Sequence, residues 1–223
     1  MWLDELREVV AERFPSWEII AVNDRSTDGT AAILDDYVRR HPQVKVEHAD
    51  ANRGHGPTLR RALELSSGDW IFQVDSDKQF RASDFWALWE RRTAVDLVLG
   101  VRAEREDRRH RLWLSSVVNT VVRLLGAPGI RDANIPFRLF TRELWLEAAP
   151  RLPADVLAPS ISLVLSASLG GRSIAQVPVT HLAREHGPSS LRSLRLITFS
   201  LKGLFQLIAF RTRLGRSVRR TNR

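Results

Sequence analysis

The residues best suited to chemistry in this sequence form a short acidic segment, DSDKQ, at Asp75–Gln79. It directly follows Trp70–Val74, an apolar run with the length and composition of a buried strand. Because the chain turns at the end of a strand, the two carboxylates and the Gln79 amide oxygen can converge on one point. Hard divalent cations favour such oxygen ligands, commonly one or two carboxylates together with substrate phosphates. The segment therefore predicts a site for Mg²⁺ or Mn²⁺.

A second polar segment, VNDRSTDGT at Val22–Thr30, also ends an apolar run with strand character, Trp17–Val22. Its last residues, Asp28-Gly29-Thr30, provide a turn and a helix N-cap, and apolar residues at helical spacing follow. In open α/β sheets, ligands bind in loops at the carboxyl ends of strands. The segment is a candidate binding loop around Asp24, and a plain capped turn would use the same residue types.

The elements that would position these segments alternate between strands and helices. We predict helices over Leu3–Phe14, Thr30–Arg40, Ser83–Arg92, Leu112–Leu125 and Ile161–Leu169, one each ending at Leu65 and Trp145, and one starting at Ser190. We predict strands over Trp17–Val22, Val44–Glu47, Trp70–Val74, Asp96–Gly100 and Ser173–Val179. The segment GIRDANIPFRLF is assigned to a loop. This alternation indicates an α/β fold.

The composition narrows the class of protein. The chain has 223 residues, of which 43% are hydrophobic, enough for one domain with a core. It contains no cysteine, which excludes disulfides and thiolate metal sites and agrees with a reducing compartment. We expect no signal peptide, and the apolar stretches near the C-terminus fall short of the ~20 residues that a membrane span needs. The net charge of +8 suits an anionic partner, either a nucleic acid or a membrane surface.

Six segments occur in a specific order: VNDRSTDGT, NRGHGPTLRRAL, GDWIFQVDSDKQF, GVR, RDANIPFRLF and REHGPSS. In this order they resemble the family 2 glycosyltransferases of GT-A fold, and within them the polyprenyl-phosphate transferases of the dolichol-phosphate mannose synthase type. The similarity runs from about Trp17 to Phe210. Each motif is weak alone, and the order of all six makes the resemblance specific.

The resemblance implies a GDP- or UDP-sugar donor and assigns residues to it. Asp24 would contact the base or ribose, and Arg184 of REHGPSS, with Gly187 and Ser189, would contact the diphosphate. The set Asp75, Asp77 and Gln79 would hold Mg²⁺ or Mn²⁺ on that diphosphate, with Asp75 also counted as donor-binding and Asp77 as catalytic.

The resemblance also implies a polyprenyl phosphate acceptor. Its phosphate would be bound by four residues, Arg102, Arg111, Ser115 and Arg138. Arg111 and Ser115 lie four residues apart, which places both on one face of a helix. Asp132 is the second catalytic candidate, as the base for a hydroxyl acceptor.

The expected chemistry follows from charge. A cation and arginines would stabilise the charge that develops on the departing diphosphate. An alcohol acceptor would need a general base within hydrogen-bond reach. A phosphate monoester, with a second pKa of ~6, is largely dianionic near neutral pH and needs little activation. The many arginines and the absence of an obvious catalytic dyad therefore favour a phosphate acceptor in metal-dependent transfer, and the resemblance implies that this acceptor is a lipid phosphate.

The C-terminal segment predicts where the acceptor is met. Polar residues Arg195, Lys202, Gln206 and Arg213 form a stripe along an otherwise apolar helix that ends in an arginine-rich tail. We expect a domain over residues 1–189, followed by an amphipathic helix and basic tail over 190–223. Such a helix would bind an anionic membrane surface peripherally, at the cytoplasmic side, in a protein of cell-envelope glycan synthesis. The same pattern also suits a helix packed on its own domain or on a dimer partner.

The family pattern opens with one more strand and a nucleotide-contacting loop ahead of the helix at which this sequence begins. The resemblance therefore implies a GT-A sheet without its first strand, which would leave backbone groups unpaired. Three other functions stay open: transfer to a hydroxyl of a soluble glycan or small molecule, an inactive GT-A scaffold, and a nucleic-acid-binding module. No recognised binding motif supports the last, so we expect no nucleic acid partner. The oligomeric state stays open.

Overall fold

The computed structural model describes residues 2–11, 13–102, 109–182 and 201–214, and the side chains of the helix over 109–124 from residue 116 onward. The helices are α1 (Trp2–Ala11), α2 (Thr30–Arg40), α3 (His55–Leu65), α4 (Phe85–Arg91), α5 (Arg109–Leu124), α6 (Arg142–Ala148), α7 (Pro159–Leu169) and α8 (residues 201–214). The strands are β1 (Ile19–Asn23), β2 (Val44–His48), β3 (Trp70–Val74), β4 (Leu97–Arg102), β5 (Phe137–Thr141) and β6 (Ile174–Val179). The alternation confirms the predicted α/β class.

The described strands form two sheets. In the first, β1 and β2 pair in parallel. The second has the order β3-β5-β4-β6, in which β5 is antiparallel to both of its neighbours and β6 is parallel to β4. Thus β1 and β3 are each paired on one side only in their sheets.

The two sheets are joined at the start of their strands by Glu18. Its carboxylate accepts hydrogen bonds from the Ser67 N–H (2.6 Å) and the Ser67 hydroxyl (2.8 Å), just ahead of β3. It also pairs with the Lys45 ammonium on β2, at 2.8 Å. Burial alone would raise the pKa of Glu18, but the hydrogen bonds from Lys45 and Ser67 outweigh it, so the pKa is lowered. Glu18 is therefore held as an anion between the sheets.

The prediction that residues Phe137–Phe140 form a loop is wrong, because this segment belongs to β5, one of the two inner strands of the second sheet. Its sequence, FRLFT, places an arginine in a run that would otherwise read as a buried strand. Arg138 is nevertheless fully buried. Its guanidinium is hydrogen-bonded to main-chain carbonyls of segments distant along the chain or in the preceding loop. Those partners are a tertiary feature, which the local pattern does not contain.

The core lies between the second sheet and the helices on it. It includes the central residues of β4 and β5, Leu144 and Trp145 of α6, and the apolar residues of α7, a helix that is buried from Pro159 to Ala167. Leu207, Phe210 and Leu214 of α8 belong to the same cluster. One face of α8 therefore packs on its own domain. Among the described helices, none is both long and apolar enough to cross a membrane.

Candidate active site

The candidate site lies at one edge of the second sheet. Strands β3 and β4 run in the same direction, since both are antiparallel to β5 between them. Their carboxyl ends therefore lie on the side of the sheet where β5 begins, and we call this side the sheet edge. It contains Asp75 after β3, Arg102 at the end of β4, and Asp132 in the loop before β5. The carboxyl edge of such a sheet is where ligands of α/β proteins bind.

The acidic segment after β3 is shaped by its backbone. Lys78 has a φ of 57°, a left-handed conformation that is uncommon for a residue with a side chain. The turn that results lets the Gln79 N–H donate to the Asp77 carboxylate, at 3.2 Å. The Gln79 carbonyl accepts from the Leu182 N–H (2.8 Å), which ties the segment to the chain after β6. Asp75, Asp77 and Gln79 are thus placed in one short, braced turn.

The charges around Asp75 bear on metal binding. Burial raises the pKa of Asp75 against the lowering effect of nearby His55, and the Asp77 carboxylate raises it further. A divalent cation would relieve this repulsion between two carboxylates. Among the residues that the structure describes, no group of three or more His, Cys, Asp or Glu side chains could hold a metal ion. Two carboxylates and one amide oxygen are the ligand types of a hard divalent cation that takes its remaining ligands from substrate phosphates or water.

Asp24 ties the loop after β1 to the glycine-rich loop. Its carboxylate accepts from the N–H groups of Arg53 (2.7 Å) and Gly54 (2.8 Å). Gly54 has a φ of 83°, which favours glycine, and it opens α3 with His55 as the first helical residue. Asn52 donates to the Asp24 carbonyl, at 3.1 Å. Asp24 thus organises the glycine-rich loop, which is distant from it along the chain, and its contact with a nucleotide stays a prediction.

On the other side of the edge, Arg102 and Asp132 form an ion pair of 3.1 Å between Nη1 and Oδ2. The Asp132 side chain is 2% exposed and that of Arg102 18% exposed. The Arg102 guanidinium is therefore the member of the pair that still reaches the surface. Burial of this kind without a partner would be costly for either charge.

Arg138 lies behind this pair and is fully buried. It donates to the carbonyls of Ser160 (2.7 Å), Ala133 (3.3 Å) and, from Nε, Ile135 (3.0 Å), with a second bond from Nη2 to Ile135. Burial lowers the pKa of Arg138 to about 10, against the opposing effect of the Asp132 and Asp75 carboxylates. A phosphate at this guanidinium would have to displace the carbonyls that Arg138 binds. The fully buried side chain of Arg138 therefore leaves no space for the predicted contact with an acceptor phosphate.

The remaining predicted site residues are not described. The side chains of Arg111 and Ser115 lie outside the described residues, although both positions belong to α5 and fall one turn apart. Arg184 with its motif partners, and the predicted boundary at 189/190, also lie outside them.

Sequence reasoning missed several polar residues that organise the site. Gln73 of β3 is buried and donates to the Ser160 hydroxyl at 3.1 Å, beside the Arg138 network. Asn119 of α5 is buried and holds the loop before β5. A glutamine inside an apolar strand is a visible signal, because a buried polar side chain needs a partner. Asn119 offers no such signal, since its partners are main-chain groups of another segment.

Comparison with known proteins identifies the class to which this fold and site belong. Residues 3–147 match the family described as Glycosyl transferase family 2. The match covers more than half of the chain, and the chain belongs to this family. Its fold is GT-A, as the following structural neighbours show.

One neighbour is glucosyl-3-phosphoglycerate synthase of Mycobacterium tuberculosis, solved with UDP, with a TM-score of 0.65 and 18% identity over 94% of this chain and 75% of that one. Another is a mannosyltransferase of Pyrobaculum calidifontis, solved with GDP-Man and Mn²⁺, with a TM-score of 0.60 and 20% identity over 95% of this chain and 60% of that one. At these identities the likeness concerns the fold alone.

Two relatives by sequence have names that specify a lipid phosphate. A dolichyl-phosphate beta-glucosyltransferase of Trichomonas vaginalis is 28% identical over 88% of this chain and 61% of the relative. An undecaprenyl-phosphate 4-deoxy-4-formamido-L-arabinose transferase of Pseudomonas aeruginosa is 27% identical over 88% of this chain and 56% of the relative. The chain thus spans about three fifths or less of the length of these relatives.

Proposed function

We propose that this chain carries out metal-dependent transfer of a sugar from a nucleotide-sugar donor to a polyprenyl phosphate. The observation that carries the proposal is the single sheet edge at which the carboxylates of Asp75 and Asp77 and the guanidinium of Arg102 are gathered. One group of charges suits a cation on a diphosphate, and the other suits an anionic acceptor. The names of the relatives support this choice of acceptor.

On the donor side, Asp75, Asp77 and Gln79 would hold Mg²⁺ or Mn²⁺. When bound, the cation supplies Lewis-acid stabilisation of the leaving diphosphate. Asp24 and the loop that it braces would face the base or ribose, and Arg184 would contact the diphosphate. Structural neighbours solved with Mn²⁺ and either UDP or GDP-Man support a metal and a UDP- or GDP-sugar.

On the acceptor side, Arg102, Arg111 and Ser115 would bind the phosphate, whose own oxygen attacks the sugar. Arg102 would supply a charge-assisted hydrogen bond from a guanidinium that remains partly exposed. Transfer to a hydroxyl would instead need Asp132 as base. That carboxylate is 2% exposed and paired with Arg102, which leaves little surface for an incoming alcohol.

The acceptor would be met at an anionic membrane surface through α8, with the protein peripheral at the cytoplasmic side. While one face of α8 packs on the core, another exposes Leu201 (61%), Phe205 (73%) and Ile208 (46%). These residues recur at four- and three-residue intervals, so they form one apolar stripe. The sequence after α8 adds four more arginines between residues 215 and 223. An apolar stripe beside clustered arginines suits the surface of an anionic bilayer.

Two side chains of α8 attach this helix to the segment over residues 155–157. The Gln206 amide oxygen accepts from the Leu157 N–H at 2.9 Å, and Lys202 pairs with Asp155 at 2.8 Å. Residues 156 and 157 also pack against the start of α3. A Cβ on Gly56 would lie only 1.9 Å from the Val156 carbonyl oxygen. The helix that carries the exposed stripe is therefore attached, through residues 155–157, to the start of α3, which follows the loop that Asp24 braces.

A transfer assay tests the proposal. The full chain is incubated with labelled UDP- and GDP-sugars and undecaprenyl phosphate in detergent, with Mn²⁺ or with EDTA. We expect label in the lipid fraction for at least one donor, and its loss in EDTA. Metal-independent transfer would contradict the metal assignment, and an unlabelled lipid fraction with every donor would contradict the proposed reaction.

A further inference from the structure

The side chain of Asn119 binds the loop before β5 on both sides of Asp132. Asn119, on α5, is 8% exposed. Its Nδ2 donates to the Arg131 carbonyl at 2.7 Å, and its Oδ1 accepts from the Ala133 N–H at 3.2 Å. Both halves of the amide are thus used, and they fix the main chain immediately before and after the carboxylate.

Two further side chains hold the same loop from other elements. Arg138 of β5 donates to the carbonyls of Ala133 and Ile135. Gln176 of β6 accepts from the Arg131 N–H at 2.8 Å. Buried main-chain groups that are paired in this way are costly to release. The loop therefore presents Asp132 in one position.

The group that Asp132 positions is Arg102. Among the described residues, the Nε of Arg102 is buried without a hydrogen-bond partner, while its Nη1 donates to Asp132 at 3.1 Å. The direction of this guanidinium is thus set mainly by the carboxylate. A planar guanidinium binds phosphate through oriented N–H groups, so its angle matters as well as its charge.

We propose that Asn119 is a positioning residue for the acceptor, which acts through Asp132 to orient the Arg102 guanidinium toward a phosphate monoester. Asp132 then serves as the anchor of Arg102. The inference rests on the proposed function, because it assumes that Arg102 meets the acceptor phosphate. It adds a residue on α5 with no contact to either substrate, and it predicts a selective effect on one of them.

The test uses the full chain and two ligands, measured by calorimetry. Geranyl phosphate is the probe for the acceptor phosphate, and UDP or GDP with Mn²⁺, whichever the wild type binds, is the probe for the donor. In Asn119→Ala we expect the Kd for geranyl phosphate to rise about 10-fold, as for loss of an oriented hydrogen bond to a charged group. The Kd for the nucleotide should stay within about twofold.

Asn134→Ala is the matched control, because Asn134 is an exposed asparagine of the same loop. It should leave both affinities unchanged. Asn119→Ser, which keeps one hydrogen-bonding group, should give a smaller loss and serves if Asn119→Ala does not melt cooperatively. If Asn119 is a positioning residue, the affinity for geranyl phosphate should fall from the wild type to Asn119→Ser and further to Asn119→Ala.

A double variant separates positioning from general damage. If Asn119 acts through Arg102, adding Asn119→Ala to Arg102→Met should change the affinity for geranyl phosphate by less than about twofold. Equal losses for both ligands, or full additivity in the double variant, would overturn the inference while leaving the proposed function intact. No binding of geranyl phosphate by the wild type would remove the acceptor class itself, and the inference with it.

Discussion

At the carboxyl end of β3, two carboxylates two residues apart lie in a turn that is braced by its own backbone. The left-handed Lys78 and the hydrogen bond from Gln79 to Asp77 fix their spacing. Burial and the Asp77 carboxylate raise the pKa of Asp75. A divalent cation stabilises two carboxylates that repel each other. We therefore expect that removing the charge of either one weakens metal-dependent donor binding.

Asp77→Ala should therefore weaken Mn²⁺-dependent binding of the nucleoside diphosphate by about 100-fold or more, since it removes a direct ligand. Asp69→Ala is the control, because Asp69 is exposed at the opposite end of β3. Calorimetry with and without Mn²⁺ makes the comparison. Unchanged binding in Asp77→Ala would mean that the metal lies elsewhere.

In the proposed reaction, the partly exposed Arg102 would carry the complementary charge for the acceptor. Arg102→Ala should raise the KM for undecaprenyl phosphate by about 10- to 100-fold, the effect of one lost charge-assisted hydrogen bond. The KM for the donor should remain within about twofold. Arg91→Ala removes an exposed arginine of α4 and should change neither constant. Initial rates at varied donor and acceptor concentrations give both values, and a parallel rise in both would refute a role at the acceptor.

At the level of elements, local signals predicted most of the fold. The bounds of α2 and β3 are those expected, because each combines a clear period with a turn or glycine at its start. The strand β5 was missed because Arg138 finds its partners in Ala133, Ile135 and Ser160, which no local pattern reveals. The same holds within the site. The end of a buried strand indicated Asp75, and the family resemblance indicated Arg102, while Asn119 depends on tertiary contacts.

The helix α8 has two apolar faces, one in the core and one exposed. Phe205→Glu should reduce binding to anionic vesicles about 10-fold or more, because a buried aromatic contributes about 1.5–3 kcal/mol. The melting temperature should change little, since Phe205 is 73% exposed. Ile33→Glu, an equally drastic change at an exposed position of α2, is the control.

Flotation with anionic and neutral vesicles provides the measurement for this face. Binding of the wild type should weaken with salt, because surface attraction is screened over ~10 Å at 0.1 M. Failure of the intact, folded chain to float with anionic vesicles would exclude the membrane surface as partner of α8.

Glu18 joins the two sheets, and its effect should depend on pH. The pKa of Glu18 in the folded chain is lower than its ordinary value of 4.5. The anion therefore stabilises the fold fully above pH 4.5, and this stabilisation is lost as the pH falls through the pKa of the folded state. Glu18→Gln should reduce the free energy of unfolding at pH 7 by about 1–2 kcal/mol. Urea titrations should show this difference shrinking below pH 4.5. Glu90→Gln, at an exposed position of α4, is the control and should not change the free energy of unfolding. A difference independent of pH would contradict the role of the charge.

At the scale of the whole molecule, the sheet edge brings together two opposite charge patterns from β3, β4 and the loop before β5. One pattern suits the donor diphosphate with its cation, and the other suits an anionic acceptor. The proposed reaction therefore requires that the acceptor be a phosphate. In the proposed reaction, an alcohol of the same chain length would lack the charge that Arg102 would bind.

The most direct test compares undecaprenyl phosphate with undecaprenol in the same detergent, with the same labelled donor and Mn²⁺. Transfer should occur to the phosphate and be at least about 100-fold slower to the alcohol, because the alcohol offers neither a dianion nor an activated oxygen. Mass spectrometry of the product should give a sugar joined through a phosphodiester. Transfer to undecaprenol at a comparable rate, or a sugar attached to a hydroxyl, would contradict the account.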